Sequence, residues 1–206
     1  MAVRVTAFPV SKLSISNLTE RPNLWWVGGE HQAVVDQSDL RLGYPARRFA
    51  EAPEIALRSF QSGDEQFGRL LTSDGLIEAR VIDVKQPAFG KALPEYQTLY
   101  LGWLISLVCG VLAQIEHLRR SLANDGAEFA MQVDVEGDAE ISLAWGDYGG
   151  SGRTALFRDL TFPLLSVGAV DGFGDVLNTI LRDVFNHAGS QFRTNVVVDW
   201  DALLRH

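Results

Sequence analysis

The densest clustering of groups with chemical potential is Trp145-Gly146-Asp147-Tyr148-Gly149-Gly150-Ser151-Gly152-Arg153-Thr154. A strand followed by glycines, a cation and a hydroxyl is how a phosphate-cradling loop is built, because bare backbone N–H groups and one basic side chain can surround an anion. Here Asp147 stands where the first glycine belongs, Arg153 replaces the lysine, and no helix with free N–H groups clearly follows. The segment therefore reads first as a turn between strands, with Arg153 as a candidate ligand-binding residue. If the chain is an enzyme, a hydrolase or transferase pocket near 146–154 is the place to look.

A second candidate group is aromatic. Trp25 and Trp26, with Trp200 elsewhere in the chain, could stack on a sugar, base or peptide, and Arg47 and Arg48 could supply cations. Neighbouring residues on a strand face opposite sides, so one of Trp25 and Trp26 should be partly exposed. Trp25, Trp26, Arg47, Arg48 and Arg153 make up the candidate ligand-binding set.

The remaining titratable groups form weaker patterns. Asp134, Glu136, Asp138 and Glu140 alternate and could gather carboxylates, but without His or a cation-loop spacing they read as a solvated strand face. His31, His117, His187 and His206 are widely separated, and no Gly-x-Ser-x-Gly pattern anchors a nucleophile. Neither a metal nor a cofactor is expected, and catalysis is disfavoured. Cys109 lies in an apolar stretch and reads as a small buried hydrophobe.

The positioning elements must come from a chain of 206 residues that is 47% hydrophobic, enough for one globular domain over 1–206 with a real core. The formal charge of -8 opposes a phosphate backbone, so nucleic acid is not indicated. The N-terminal residues alternate rather than forming a charged head and an apolar block, which favours a cytoplasmic protein.

Val3, Val5 and Ala7 alternate with Arg4 and Thr6 as in a half-buried strand, which Pro9 ends or places on an edge. Residues 23–27 and 76–84 also read as strands, 40–50 as a loop, and 195–198 as a closing strand. Pro53, Ile55, Ala56 and Phe60 suggest a short helix closed by Gly63, with another over 65–71. Phe129, Met131, Val133 and Val135, then Ile141, Leu143 and Trp145, alternate about Gly137 and Asp138 and predict a hairpin. After an extended stretch over 154–167, Asp171 caps a helix whose apolar residues, Phe173 to Phe185, recur at three and four residue steps.

Residues 96–115 carry no charge, which is long enough for a membrane span or a helix buried on all sides. Pro94 can open this helix and Arg119 and Arg120 balance its dipole, giving a length of about 45 Å from about 94 to 124. Gln97, Thr98, Ser106 and Gln114 dilute the stretch, basic residues are balanced on its two sides, and the neighbouring half-apolar strands need a shared cover. Gly102, Ser106 and Gly110 form a small-residue stripe expected to face a closely packed backbone.

The expectation is an α+β fold: an antiparallel sheet packed against a long, largely buried central helix (about 94–124) and a C-terminal amphipathic helix (about 171–188). The expected function is a non-catalytic binding or regulatory module, with a protein partner or a second copy in a larger assembly. The alternatives are the hydrolase or transferase named above and a single-span membrane-anchored component.

Overall fold

The computed structural model describes residues 1–24, 48–62, 65–83, 96–145, 152–153, 158–189 and 196–204. The first strand, β1 (Ala2–Pro9), does alternate: Val3, Val5 and Ala7 are buried and the residues between them are not. It lies in the middle of the sheet rather than at an edge, and Pro9 is its last residue. The other strands are β2 (Arg48–Ala52), β3 (Ile55–Ser62), β4 (Glu65–Thr72), β5 (Ile77–Asp83), β6 (Tyr96–Tyr100), β7 (Phe129–Glu136), β8 (Glu140–Trp145), β9 (Gly152–Arg153), β10 (Leu160–Thr161) and β11 (Leu165–Val167). The helices are α1 (Leu101–Ser121), α2 (Phe173–His187) and α3 (Trp200–Leu204).

The large sheet is antiparallel throughout, in the order β10-β7-β1-β5-β4-β3-β2, with β11 also on β7. Ladder register places Val5, Ala79 and Val133 side by side, and α1 crosses this apolar face against β1 and β5. The amphipathic helix α2 buries Phe173, Leu177, Ile180, Leu181, Val184 and Phe185 and packs against α1 and β11. Asp171 lies in a single helical turn before α2, and the N-cap position falls on Gly172. The expected α+β architecture is present, with α1 as its buried central helix. Of its most apolar eighteen-residue window, 78% is enclosed by the protein, although its length and composition would suit a membrane span.

Several local expectations are corrected. The central helix begins at Leu101 and not near 94, because Tyr-Gln-Thr-Leu-Tyr, rich in strand-favouring side chains, pairs in parallel with 140–144 as β6. It ends at Ser121, and Ala123 then takes a left-handed conformation at φ 49°. Ala123 N–H bonds Arg120 O and Asn124 N–H bonds Arg119 O, which satisfies two terminal carbonyls. The two short helices expected over 53–71 are strands: Pro53 and Glu54 form the two-residue turn between β2 and β3, and β4 follows. Ladder partners on both sides of β3 and β4 outweigh the weak helical periodicity of segments this short.

The hairpin over 129–145 is also corrected. Both strands exist, but β7 is flanked by β1 on one side and by β10 and β11 on the other, so no edge remains for β8. β8 instead joins a three-stranded sheet, parallel to β6 and antiparallel to β9. Its Ile141, Ser142 and Leu143 are buried in succession, the pattern of a strand covered on both faces. At the crossing, Gly137 N–H donates to Asp159 Oδ1 at 2.8 Å.

Near the C-terminal end, Val196 is fastened to α2 by a side-chain amide. Asn178 Oδ1 accepts from Val196 N–H at 2.8 Å while Asn178 Nδ2 donates to Val196 O at 3.1 Å, imitating a strand partner. Asp199 caps α3 through Ala202 N–H.

Candidate functional site

Of the candidate ligand-binding set, Trp25, Trp26 and Arg47 lie outside the described residues, as do most of 146–154 and both His31 and His206. Arg48 falls on β2 and Arg153 on β9, edge strands of different sheets, so their backbones are not brought together by strand pairing. Trp200 stands edge-to-face with Phe173, ring centroids 5.3 Å apart, and packs against the core.

The acidic series is divided by the crossing between sheets: Asp134 and Glu136 belong to β7, Asp138 to the connection and Glu140 to β8. Among the described residues no group of three or more His, Cys, Asp or Glu comes together as a metal would require. His117 Nε2 is 2.6 Å from Asn23 O, and His187 Nδ1 is 2.9 Å from Asp183 O on its own helix.

The buried polar groups serve the fold. Arg119 is 4% exposed, and its guanidinium donates to Ala127 O at 2.8 Å, Gly168 O at 2.7 Å and Val167 O at 2.9 Å. Burial pushes this guanidinium below its ordinary pKa, with nearby Glu116 acting the other way. Gln114 donates to Leu24 O at 2.7 Å. The thiol of Cys109 is enclosed in the core, and burial pushes its pKa up. Among the described residues, the buried atoms Gln97 Oε1 and Ser142 Oγ find no hydrogen-bond partner. Gln97 is in register with Ile141 and Thr98 with Ser142, so the two atoms belong to opposite faces of the small sheet and do not form one polar site.

At Gly110 the small-residue stripe departs from the expectation. A Cβ on Gly110 would stand 2.8 Å from Arg69 Nη2, so the helix gives way to a guanidinium from β4 and not to a neighbouring backbone. Register puts Arg69 beside Ala79 and Val5, on the sheet face that α1 covers.

The opposite face of the large sheet carries a row of charged side chains. Ladder register sets Asp134, Arg4, Arg80 and Gly68 in one row across β7, β1, β5 and β4. Arg4 Nη2 is 2.8 Å from Glu136 Oε1, with side chains 41% and 61% exposed. Arg80, 47% exposed, lies 3.8 Å from Glu78 Oε1 and runs over Gly68, where an added Cβ would come within 3.1 Å of its Nε. Two like charges directly opposite each other across a ladder oppose folding, and here Asp134, Glu136 and Glu78 surround them. Sequence reasoning passed over Arg4 and Arg80. Alternation marked Arg4 as an outward position, but its adjacency to Arg80 depends on register between strands more than seventy residues apart.

Comparison of the chain with protein-family models, with curated proteins and with solved structures finds no match in any of the three.

Proposed function

We propose that the chain is a non-catalytic binding module working within a larger protein assembly, and that the face of the large sheet turned away from α1 is its contact surface. The observation that carries this reading is the side-by-side placement of Arg4 and Arg80 on β1 and β5, with Gly68 clearing room for the second. A sheet face that carries charges across neighbouring strands suits a macromolecular partner better than a small substrate, which binding in a concave site would desolvate. The face mixes two guanidiniums with the carboxylates of Asp134, Glu136 and Glu78, so a partner complementary to it presents both signs of charge. The groups buried around α1 support the same reading, since Gln114 and Arg119 spend their donors on main-chain carbonyls.

The test is crosslinking in the source cells followed by mass spectrometry, with the purified chain run in parallel on size-exclusion with light scattering. Crosslinks that map to β1, β5 and β7, and that disappear in the Arg4→Glu/Arg80→Glu double variant while its circular dichroism is unchanged, support the proposal. A self-crosslink with a dimer mass would identify the partner as a second copy. A monomer whose crosslinks avoid this face, or persist unchanged in the double variant, overturns it.

A further inference from the structure

The chain contains three Asp-Gly steps, Asp74-Gly75, Asp125-Gly126 and Asp171-Gly172, and no Asn-Gly step. Such a step is chemically vulnerable because glycine has no side chain to keep its nitrogen away from the preceding carboxyl group. The three steps are held very differently.

At the first, Thr72 Oγ1 donates to Asp74 Oδ1, and Gly75 N–H donates to Thr72 O at 3.0 Å. Gly75 is buried with φ +88°, against Leu13 and Pro9. Both the attacking nitrogen and the carboxylate are therefore engaged. That hydrogen bond from Thr72 also holds the Asp74 carboxyl below its ordinary pKa, in the ionised form that loses water least readily. At the third, Gly172 N–H donates to Ala169 O at 3.0 Å and the residue leads directly into α2, which fixes its backbone.

The middle step has none of these restraints. Asp125 and Gly126 are both exposed, and no atom lies within 4 Å of a Cβ placed on Gly126. They are the two central residues of a turn closed by Ala127 N–H to Asn124 O at 3.1 Å, so the Gly126 N–H lies inside the turn without taking part in its closing bond.

We propose that Asp125 is a site of spontaneous covalent modification, where the main chain isomerises through a succinimide to isoaspartate while Asp74 and Asp171 stay intact. The Gly126 nitrogen attacks Asp125 Cγ and an N–Cγ bond forms. The hydroxyl of the carboxylic acid leaves as water, taking the amide proton. Water then opens the five-membered imide at one of its two carbonyls. Opening at Cγ restores aspartate, and opening at the main-chain carbonyl leaves the chain running through the side chain. The net mass change is zero, and water is the only co-reactant.

The product matters structurally because Ala127 O, two residues beyond Asp125, accepts from Arg119 Nε. An extra main-chain carbon inserted there lengthens the turn that presents this carbonyl. Isomerisation should therefore loosen the attachment of α1 to the start of β7.

The experiment is ageing of the full chain at neutral pH and 37 °C, with peptide mapping by chromatography and electron-transfer fragmentation to separate aspartyl from isoaspartyl peptides. Isoaspartate should accumulate at 125 several-fold faster than at 74 or 171, and the isomerised fraction should unfold at lower urea. Gly126→Ala, which meets open space and no left-handed φ, should suppress it without disturbing the fold. Asp125→Glu, which would require a six-membered imide, should suppress it as well. Equal rates at the three sites, absence of isoaspartate at 125, or undiminished accumulation in both variants would overturn the proposal.

Discussion

Arg119 Nε donates to Ala127 O at 2.8 Å while the same guanidinium reaches Val167 O and Gly168 O, residues 48 and 49 positions further along the chain. One side chain thus ties the end of α1 to the entry of β7 and to the strand β11 that borders it. Its cation also lies 5.6 Å from the centroid of the Phe129 ring. The planar fork is what permits three carbonyls to be served from one buried point.

Arg119→Ala should therefore cost about 3 kcal/mol, since it leaves three carbonyls without their donor, two of them in buried hydrogen bonds. Arg119→Lys should recover less than half of that, because a single ammonium cannot span the set. Urea denaturation monitored by circular dichroism measures both. A midpoint for the lysine variant equal to that of the parent would show that the geometry of the fork is unimportant.

Ala123 adopts φ 49° just past the end of α1, a conformation that a Cβ disfavours. Ala123→Gly should stabilise the protein by about 0.5–1 kcal/mol, the relief of that strain exceeding the added freedom of the unfolded chain. The measurement is the shift in thermal midpoint, and an unchanged or lower midpoint would contradict it.

Gly110 and Arg69 form a pair that a double-mutant cycle can isolate. In an open helix, replacing glycine by alanine gains about 1 kcal/mol of helix propensity, but here the new methyl displaces the Arg69 guanidinium. Gly110→Ala alone should be neutral or destabilising, and the same change in an Arg69→Ala background should be stabilising. Additive effects across the cycle would mean that the two residues do not interact.

Which of these features could be read from sequence follows from the range of the forces involved. The helix α2 was legible because Phe173, Leu177, Ile180, Leu181 and Val184 repeat with a period that only a helix turns into one face. β1, β5, β7 and β8 were legible as strands for the same local reason. The pairing of β7 with β1 instead of β8 was not, since it joins Val5 to Val133 through contacts whose partners are distant in sequence. β3 was misread because Pro53 suits both a first helical turn and a tight turn, and only the neighbouring ladders decide. Arg119 could not be placed because its carbonyl partners lie in the fold and leave no trace in its own neighbourhood. As for the candidate site, Arg4 was recognisable as an outward position, while its adjacency to Arg80 emerges only with the register of β1 on β5.

Cys109 offers a test of how completely α1 is enclosed. Its side chain is fully buried, and desolvation of the thiolate holds the folded-state pKa above that of a free thiol. The folded state therefore keeps the proton at a pH where the unfolded chain releases it. Below the free-thiol value of about 8.5 this group leaves stability unchanged with pH. Above it, ionisation favours the unfolded state, and stability should fall by about 1.4 kcal/mol per pH unit from this one residue until the folded-state value is reached. Urea titrations at a series of pH values above neutrality, for the parent and for Cys109→Ala, separate this contribution from tyrosine and lysine, because only the parent carries it. The alanine variant will start from a lower stability owing to the lost sulfur, but the parent's curve should descend towards it as pH rises. Parallel curves would mean that the thiol ionises in the folded state, and rapid alkylation of native protein by iodoacetamide would point to the same breach in the packing around α1.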